Sequence, residues 1–333
     1  MYELLGICLM LATLLVVNAF TSILMAAFAR VFERRLQRLS ARVRAEVLFA
    51  LRVGPTAVAI FLVGFLFVPA YIVNEPHGTN EVVSSKLALL ALISAAGVGF
   101  ALWRLFRSSF ATHSLLRSWL RDAQAAKIEG ISIPTYRILH RFPIIAVVGT
   151  IKPRLFIADQ VLDELTSEEL AASIAHEAGH VQARDNLKRS TLRVCRSALM
   201  MLPCGRSLDR AWAEAAESAA DEYAVFQESE TALNLASALV KIARMIPSGA
   251  RADVPLGAYL VGAEENSGVK ARVRRLLEIA SSGTGVSRSR SVVRMLPAAS
   301  FGLLVFLAVA VPTNQTLLIA AHNVIERAVT LLC

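Results

Sequence analysis

Four apolar stretches, at about 4–29, 53–73, 87–106 and 292–311, constrain this chain more than anything else in its sequence. Each approaches or exceeds the roughly 20 apolar residues that a helix needs to cross a bilayer. Lipid offers the main chain no hydrogen-bond partner, so such a stretch must satisfy its own backbone as a helix. The composition agrees. Of the 333 residues 55% are apolar, and mean hydropathy is +0.54, as expected for a membrane protein. The first stretch carries Glu3 where a signal peptide would be basic, and further spans follow it, so it reads as retained. Asn18 within it suits hydrogen bonding between helices.

Charge sets the expected orientation. Arg30, Arg34, Arg35, Arg38, Arg42 and Arg44 separate the first two stretches, whereas 74–85 has Glu75 and Glu81 and only Lys86 at its far border. Arg107, Arg117, Arg121 and Lys127 follow the third stretch, and Arg288, Arg290 and Arg294 flank the fourth. By the positive-inside rule the N-terminus lies outside. The expected organisation is three membrane helices within 1–106, joined in part by a basic cytoplasmic loop at 30–46. A cytoplasmic domain at 107–291, a fourth span at 292–311 and an extracytoplasmic tail at 312–333 follow. The tail's apolar run at 317–332 reads as an interfacial helix. Arginines at membrane flanks account for the net charge of +9, so the bilayer, and no nucleic acid, is the expected polyanionic partner. Four scattered cysteines form neither a disulfide framework nor a close metal-binding pair.

The 107–291 segment is large enough for one core. A linking helix is expected at 114–126. Strand-like runs follow at 135–139, 144–148 and 154–158, with Gly149 and Pro153 marking a hairpin. An exposed strand edge there would suit strand addition by an extended peptide. Helices are expected at 187–202, 210–226, 231–246 and 269–280, and a Gly/Ser-rich tether at 281–291. The fold class is therefore a mostly α membrane protein with four transmembrane helices and a cytoplasmic α+β domain containing a small sheet.

Within that domain, Thr166-Ser167-Glu168-Glu169 has the form of a capping box. The helix it opens carries His176-Glu177-Ala178-Gly179-His180. Residues four apart share a helix face, so both imidazoles can reach one metal ion, and Glu177 stands ready as a base toward the attacking water. Gly179 inside a helix points to close approach by another backbone. A hydrolytic zinc takes three protein ligands and leaves a position open. Glu214, Glu217 and Asp221 form one acidic stripe with no lysine among them, a repulsion that a dication would reverse. Glu217 is the expected third ligand. Asp221 and Asp185 are expected to accept from the ligand histidines behind the metal. Tyr223 and His140 are candidate oxyanion donors, with nothing selecting between them.

These residues resemble the BlaR/MecR-type membrane zinc metallopeptidases of the gluzincin clan. The resemblance rests on Val148-Gly149-Thr150-Ile151-Lys152-Pro153 with Leu155-Phe156-Ile157, on Leu165 to Leu170, and on His176 to His180 followed by Arg184-Asp185. It also rests on Glu217-Ser218-Ala219-Ala220-Asp221 and on Val273-Arg274-Arg275-Leu276-Leu277. It implies one Zn2+ per chain held by His176, His180 and Glu217, with Glu177 catalytic. It implies a multi-pass protein of the bacterial plasma membrane that cleaves a transcriptional repressor or itself. The antibiotic-sensing members carry an extracellular sensor after the fourth span. Here about twenty residues follow it, so the signal is expected from a separate sensor partner, from the membrane itself or from the 74–85 loop. Two other functions compete: an HtpX-like quality-control protease, which shares both motifs, and a zinc-binding scaffold without turnover. Glu177 argues against the scaffold, because a structural site has no use for a base.

Overall fold

The computed structural model describes residues 2–75, 83–128, 133–198, 205–226, 229–246, 266–282 and 306–332. Among them, three helices are long and apolar enough to cross a membrane: α1 (Tyr2–Val31), a continuous helix Ala41–Asn74, and one at Ser85–Asp122. A short turn of helix, α2 (Glu33–Gln37), lies in the basic loop. The second long helix comprises α3 (Ala41–Leu62), a π-helical stretch Val63–Phe67 and α4 (Val68–Asn74). Pro69 has no N–H for the carbonyl four residues earlier, which accounts for the widened turn just before it. Asn18 is buried in α1, and its Oδ1 accepts from Thr56 Oγ1 at 3.4 Å, an interhelical bond of the expected kind.

The third long helix, α5 (Ser85–Asp122), corrects the expected division into a span and a separate linker. At 1.5 Å per residue its 38 residues extend about 57 Å, against about 30 Å of hydrocarbon. Its C-terminal part therefore runs on into the globular domain, where Trp119 meets Phe156 edge-on at 5.1 Å. Gln124–Ala126, expected as the linker's end, is instead strand β1, because pairing with the next strand overrides the helical preference of glutamine and alanine.

The sheet has four strands in the order β1-β2-β4-β3, with β2 at Thr135–Ile138, β3 at Ile145–Val148 and β4 at Arg154–Ala158. β1 and β2 are antiparallel, β2 and β4 parallel, and β3 and β4 form the expected antiparallel hairpin. Gly149 turns this hairpin at φ 108°, where an added Cβ would lie 2.7 Å from the Lys152 carbonyl oxygen. β3 is an edge strand, yet all four of its residues are buried. The expected exposed edge is instead closed at Val147 by side chains from the helices that follow.

The helices that follow are α6 (Asp159–Glu164), α7 (Ser167–Ala183), α8 (Asp185–Ala198), α9 (Gly205–Val225), α10 (Ser229–Met245) and α11 (Asn266–Ser282). α7 opens with the expected capping box: the Glu169 N–H donates to Thr166 Oγ1, and the Thr166 N–H donates to Glu169 Oε2. Core residues from the sheet, α7, α10 and α11 form one cluster around Phe156, Leu235, Leu239 and Leu276. A second cluster joins α3 (Ala45, Leu48) to α9 (Leu208, Trp212, Ala215). Across this seam Arg52 Nε donates to Asp209 Oδ1 at 2.9 Å, and Lys188 pairs with Glu46. The ligand-candidate helix α9 is therefore seated directly on the second long helix.

Of the expected fourth span, 292–305 lies outside the described residues and 306–313 is helical (α12). The expected tether at 281–291 lies outside them from residue 283 onward. The expected tail helix is α13 (Gln315–Leu332). It packs across the end of the second long helix, with Leu318 and Ala321 on Ala70, and Ile325 and Val329 beside Leu5, Tyr71 and Leu87.

Candidate metal centre

α7 carries His176, Glu177 and His180; α9 carries Glu217 and Asp221. The two helices touch where Gly179 faces α9. An added Cβ at Gly179 would lie 3.1 Å from Ala220 Cα and 3.2 Å from Tyr223 Cβ. The absence of a side chain lets the helices approach and brings Glu217 to the imidazoles. His176 and His180 stack one turn apart with ring planes nearly perpendicular, centroids 4.8 Å apart.

The imidazole nitrogens are sorted by distance. Nδ1 of His176 lies 2.9 Å from Asp221 Oδ1, and Nδ1 of His180 lies 2.7 Å from Asp185 Oδ2, both hydrogen-bond lengths. Such acceptors hold a ring proton on Nδ1, so Nε2, which in His176 lies 3.4 Å from Arg272 Nη2, is the nitrogen a metal would take once the ring is neutral. Nε2 of His176 is 3.6 Å from Glu217 Oε2, and Nε2 of His180 is 3.5 Å from Glu217 Oε1. These separations match ligand atoms sharing one ion, which at zinc bond lengths stand about 3.4 Å apart. The donor set therefore fits a zinc ion, and these three residues form a group that could hold one.

The chain turns sharply to deliver Asp185. Arg184 caps α7 in the left-handed conformation at φ 55°, uncommon for a residue with a side chain. The very next carboxylate then reaches back to His180, as expected of Asp185.

Two arginines relieve the acidic stripe, a role expected for a dication alone. Arg272, from α11, donates to both oxygens of Asp221 at 2.6 and 3.0 Å and lies 3.1 Å from Glu217 Oε2. Arg189, from α8, donates to Glu217 Oε1 at 2.9 Å. A carboxylate oxygen has two lone pairs, so an arginine on Glu217 leaves room for a metal bond. Burial alone would raise the Asp221 carboxyl; Arg272 and His176 bring it down to about 2. Glu217 likewise sits well below the usual carboxylate range, held there against burial by His180, His176 and Arg272. Glu214 is exposed and plays no part in this cluster.

Glu177 is buried, and its Oε2 accepts from the Val147 N–H of β3 at 3.1 Å. Asn186 Nδ2 donates to the Val147 carbonyl at 2.9 Å and to that of Gly149 at 3.1 Å. Both edge-facing groups of Val147 are thus engaged by side chains next to the histidines. Of the two oxyanion candidates, Tyr223 packs on Gly179, while His140 accepts from the Phe142 N–H and meets Trp119 edge-on.

Arg272, Arg189 and Asn186 were not expected here. In sequence, α11 shows basic residues on the polar face of an amphipathic helix, with no partner indicated. Its Arg272 and Arg275, three apart, instead match Asp221 and Glu222 on α9. An uncompensated acidic stripe next to a run of arginines at helical spacing was the signal available.

Residues 144–246 match the profile of Peptidase family M48. No curated protein matches the chain. The matched span contains both histidines, Glu177, Glu217, Asp185 and Asp221. M48 peptidases are zinc-dependent. The match supports a zinc metallopeptidase of membrane type, acting on protein, and the apolar helices support a bilayer as its setting.

Proposed function

We propose that this chain is a membrane-embedded zinc endopeptidase with a regulatory role, its active site at the cytoplasmic face. His176, His180 and Glu217 are the zinc ligands, one ion per centre, and Glu177 is the general base. The observation that carries this reading is the sorting of the imidazole nitrogens: Nδ1 atoms at hydrogen-bond length from Asp221 and Asp185, Nε2 atoms at shared-ligand distance from Glu217.

A zinc ion bound there supplies Lewis acidity, polarising the scissile carbonyl and lowering the pKa of a water to about 7. The side chains do the rest. Asp221 and Asp185 fix the ring tautomers. Glu177 accepts the proton of the attacking water and returns it to the leaving amine. Arg272 and Arg189 keep Glu217 ionised. An extended substrate strand can pair with β3 once it replaces Glu177 and Asn186 at Val147. That exchange frees the base as the substrate docks.

The contact between α9 and α3 supports a regulated enzyme. Arg52 and Asp209 tie the Glu217 helix to a membrane helix, so a shift in the latter moves a ligand. A defined substrate, such as a repressor, is the corresponding target. Comparing cellular protein termini between wild type and Glu177→Gln tests this. One or a few new termini absent from the variant are expected. Identical termini in both would refute proteolysis, and broad loss across misfolded membrane proteins would refute the regulatory role.

A further inference from the structure

The second long helix ends at a different cluster. Glu75 follows α4, and its side chain is 2% exposed. His322 and Glu326, one turn apart on α13, lie against it. His322 Nδ1 is 3.7 Å from Glu75 Oε2, and His322 Nε2 is 3.7 Å from Glu326 Oε1. His322 Nδ1 is buried and makes no hydrogen bond among the described residues. One donor atom from each of the three residues lies within 4.8 Å of the other two.

The spacing separates two explanations. If a protonated His322 bridged the carboxylates directly, charge-assisted bonds of about 2.7–2.9 Å would be expected. Such bonds occur elsewhere in this chain, as between His180 and Asp185 at 2.7 Å. The separations at His322 are longer, 3.7 Å to each carboxylate, and run from opposite ring nitrogens. The buried Nδ1 that faces Glu75 is the nitrogen open to an ion, and one donor atom from each residue stays within 4.8 Å of the others. The donors suit a borderline metal such as zinc rather than calcium, which takes oxygen alone. Glu326 is half-exposed and free to swing inward, while Glu75 is fixed by burial.

We propose that Glu75, His322 and Glu326 form a second divalent transition-metal site, binding through one ring nitrogen and one oxygen from each carboxylate. Bound metal clamps α13 onto the end of the helix whose other half carries Arg52. From Arg52 to Glu75 that helix extends about 35 Å. In the orientation proposed above, the site faces the extracytoplasmic side, at the border of the 74–85 loop. The site is independent of the catalytic reading.

The test uses full-length protein in detergent, stripped with chelator, dialysed against zinc chloride and assayed for metal by mass spectrometry. A His176→Ala/His180→Ala background removes the first centre. That background should retain about one zinc per chain, and adding His322→Ala should abolish it. No zinc in the background, or zinc unaffected by His322→Ala, would overturn the proposal. Glu326→Gln, an isosteric change at a half-exposed position, guards against misfolding. It should weaken zinc binding in the background about tenfold or more, and unchanged affinity would also overturn the site. Failure of the catalytic centre reads differently, as His322→Ala alone binding no zinc.

Discussion

Asp221 holds His176 from behind, its Oδ1 2.9 Å from the imidazole Nδ1, and Arg272 holds Asp221 in turn at 2.6 Å. This chain of contacts ties three helices to one ring. Arg272→Ala leaves the buried Asp221 and the partly buried Glu217 with one countercharge fewer. Breaking such a pair costs on the order of 3 kcal/mol. The variant's melting temperature in detergent should fall, and it should fall less with zinc present, because the dication replaces part of the lost charge. An unchanged melting temperature without metal would remove Arg272 from this role.

Gly179→Ala pits helix preference against packing. Alanine favours the helix by about 1 kcal/mol. The added methyl meets Ala220 Cα at 3.1 Å, a backbone atom that yields only if α9 moves. Overpacking of this kind costs about 1–3 kcal/mol. The expected result is weaker zinc retention and lower proteolysis, more severe for Gly179→Val. Wild-type metal affinity in Gly179→Val would show that the close approach is not needed.

Much of this centre was legible because its signals are local. The Thr166 capping box, the i and i+4 histidines, and a glycine at the helix contact each act within a few residues. Glu217 was legible from an acidic stripe without lysine. Arg272 was not, since it lies 96 residues from His176 and only the packing of α11 brings it there. β1 and the unbroken α5 were illegible for a related reason: neither Gln124-Ala125-Ala126 nor the apolar-to-basic transition at Arg107 declares its tertiary partner. The Val147 bond to Glu177 depends on an edge strand meeting a helix, which no periodicity records.

Arg52→Ala should loosen the domain from its membrane helix. It removes a charged hydrogen bond at 2.9 Å, worth about 2 kcal/mol, and leaves Asp209 unpaired in a half-buried seam. Limited proteolysis between α8 and α9 should accelerate. Equal cleavage rates would argue that the two helices do not need this tie.

Glu169 gives a pH signature. Burial alone would raise its pKa from 4.5, but Lys241, Ser237 and the Thr166 N–H together lower it. Its folded value lies below its unfolded one, so its stabilisation is full above the unfolded value and fades as pH falls through the folded value. The difference in melting temperature between wild type and Glu169→Gln should be constant near neutrality and shrink below about pH 4. A difference that grew on acidification would have the wrong sign.

The most direct measurement is anomalous diffraction at the zinc edge from crystals of the zinc-loaded full chain. The account requires a peak about 2.0–2.1 Å from Nε2 of both His176 and His180, with a Glu217 oxygen at about 2.0–2.2 Å. No peak at that position, with Glu217 turned to Arg189 and Arg272 alone, would contradict it.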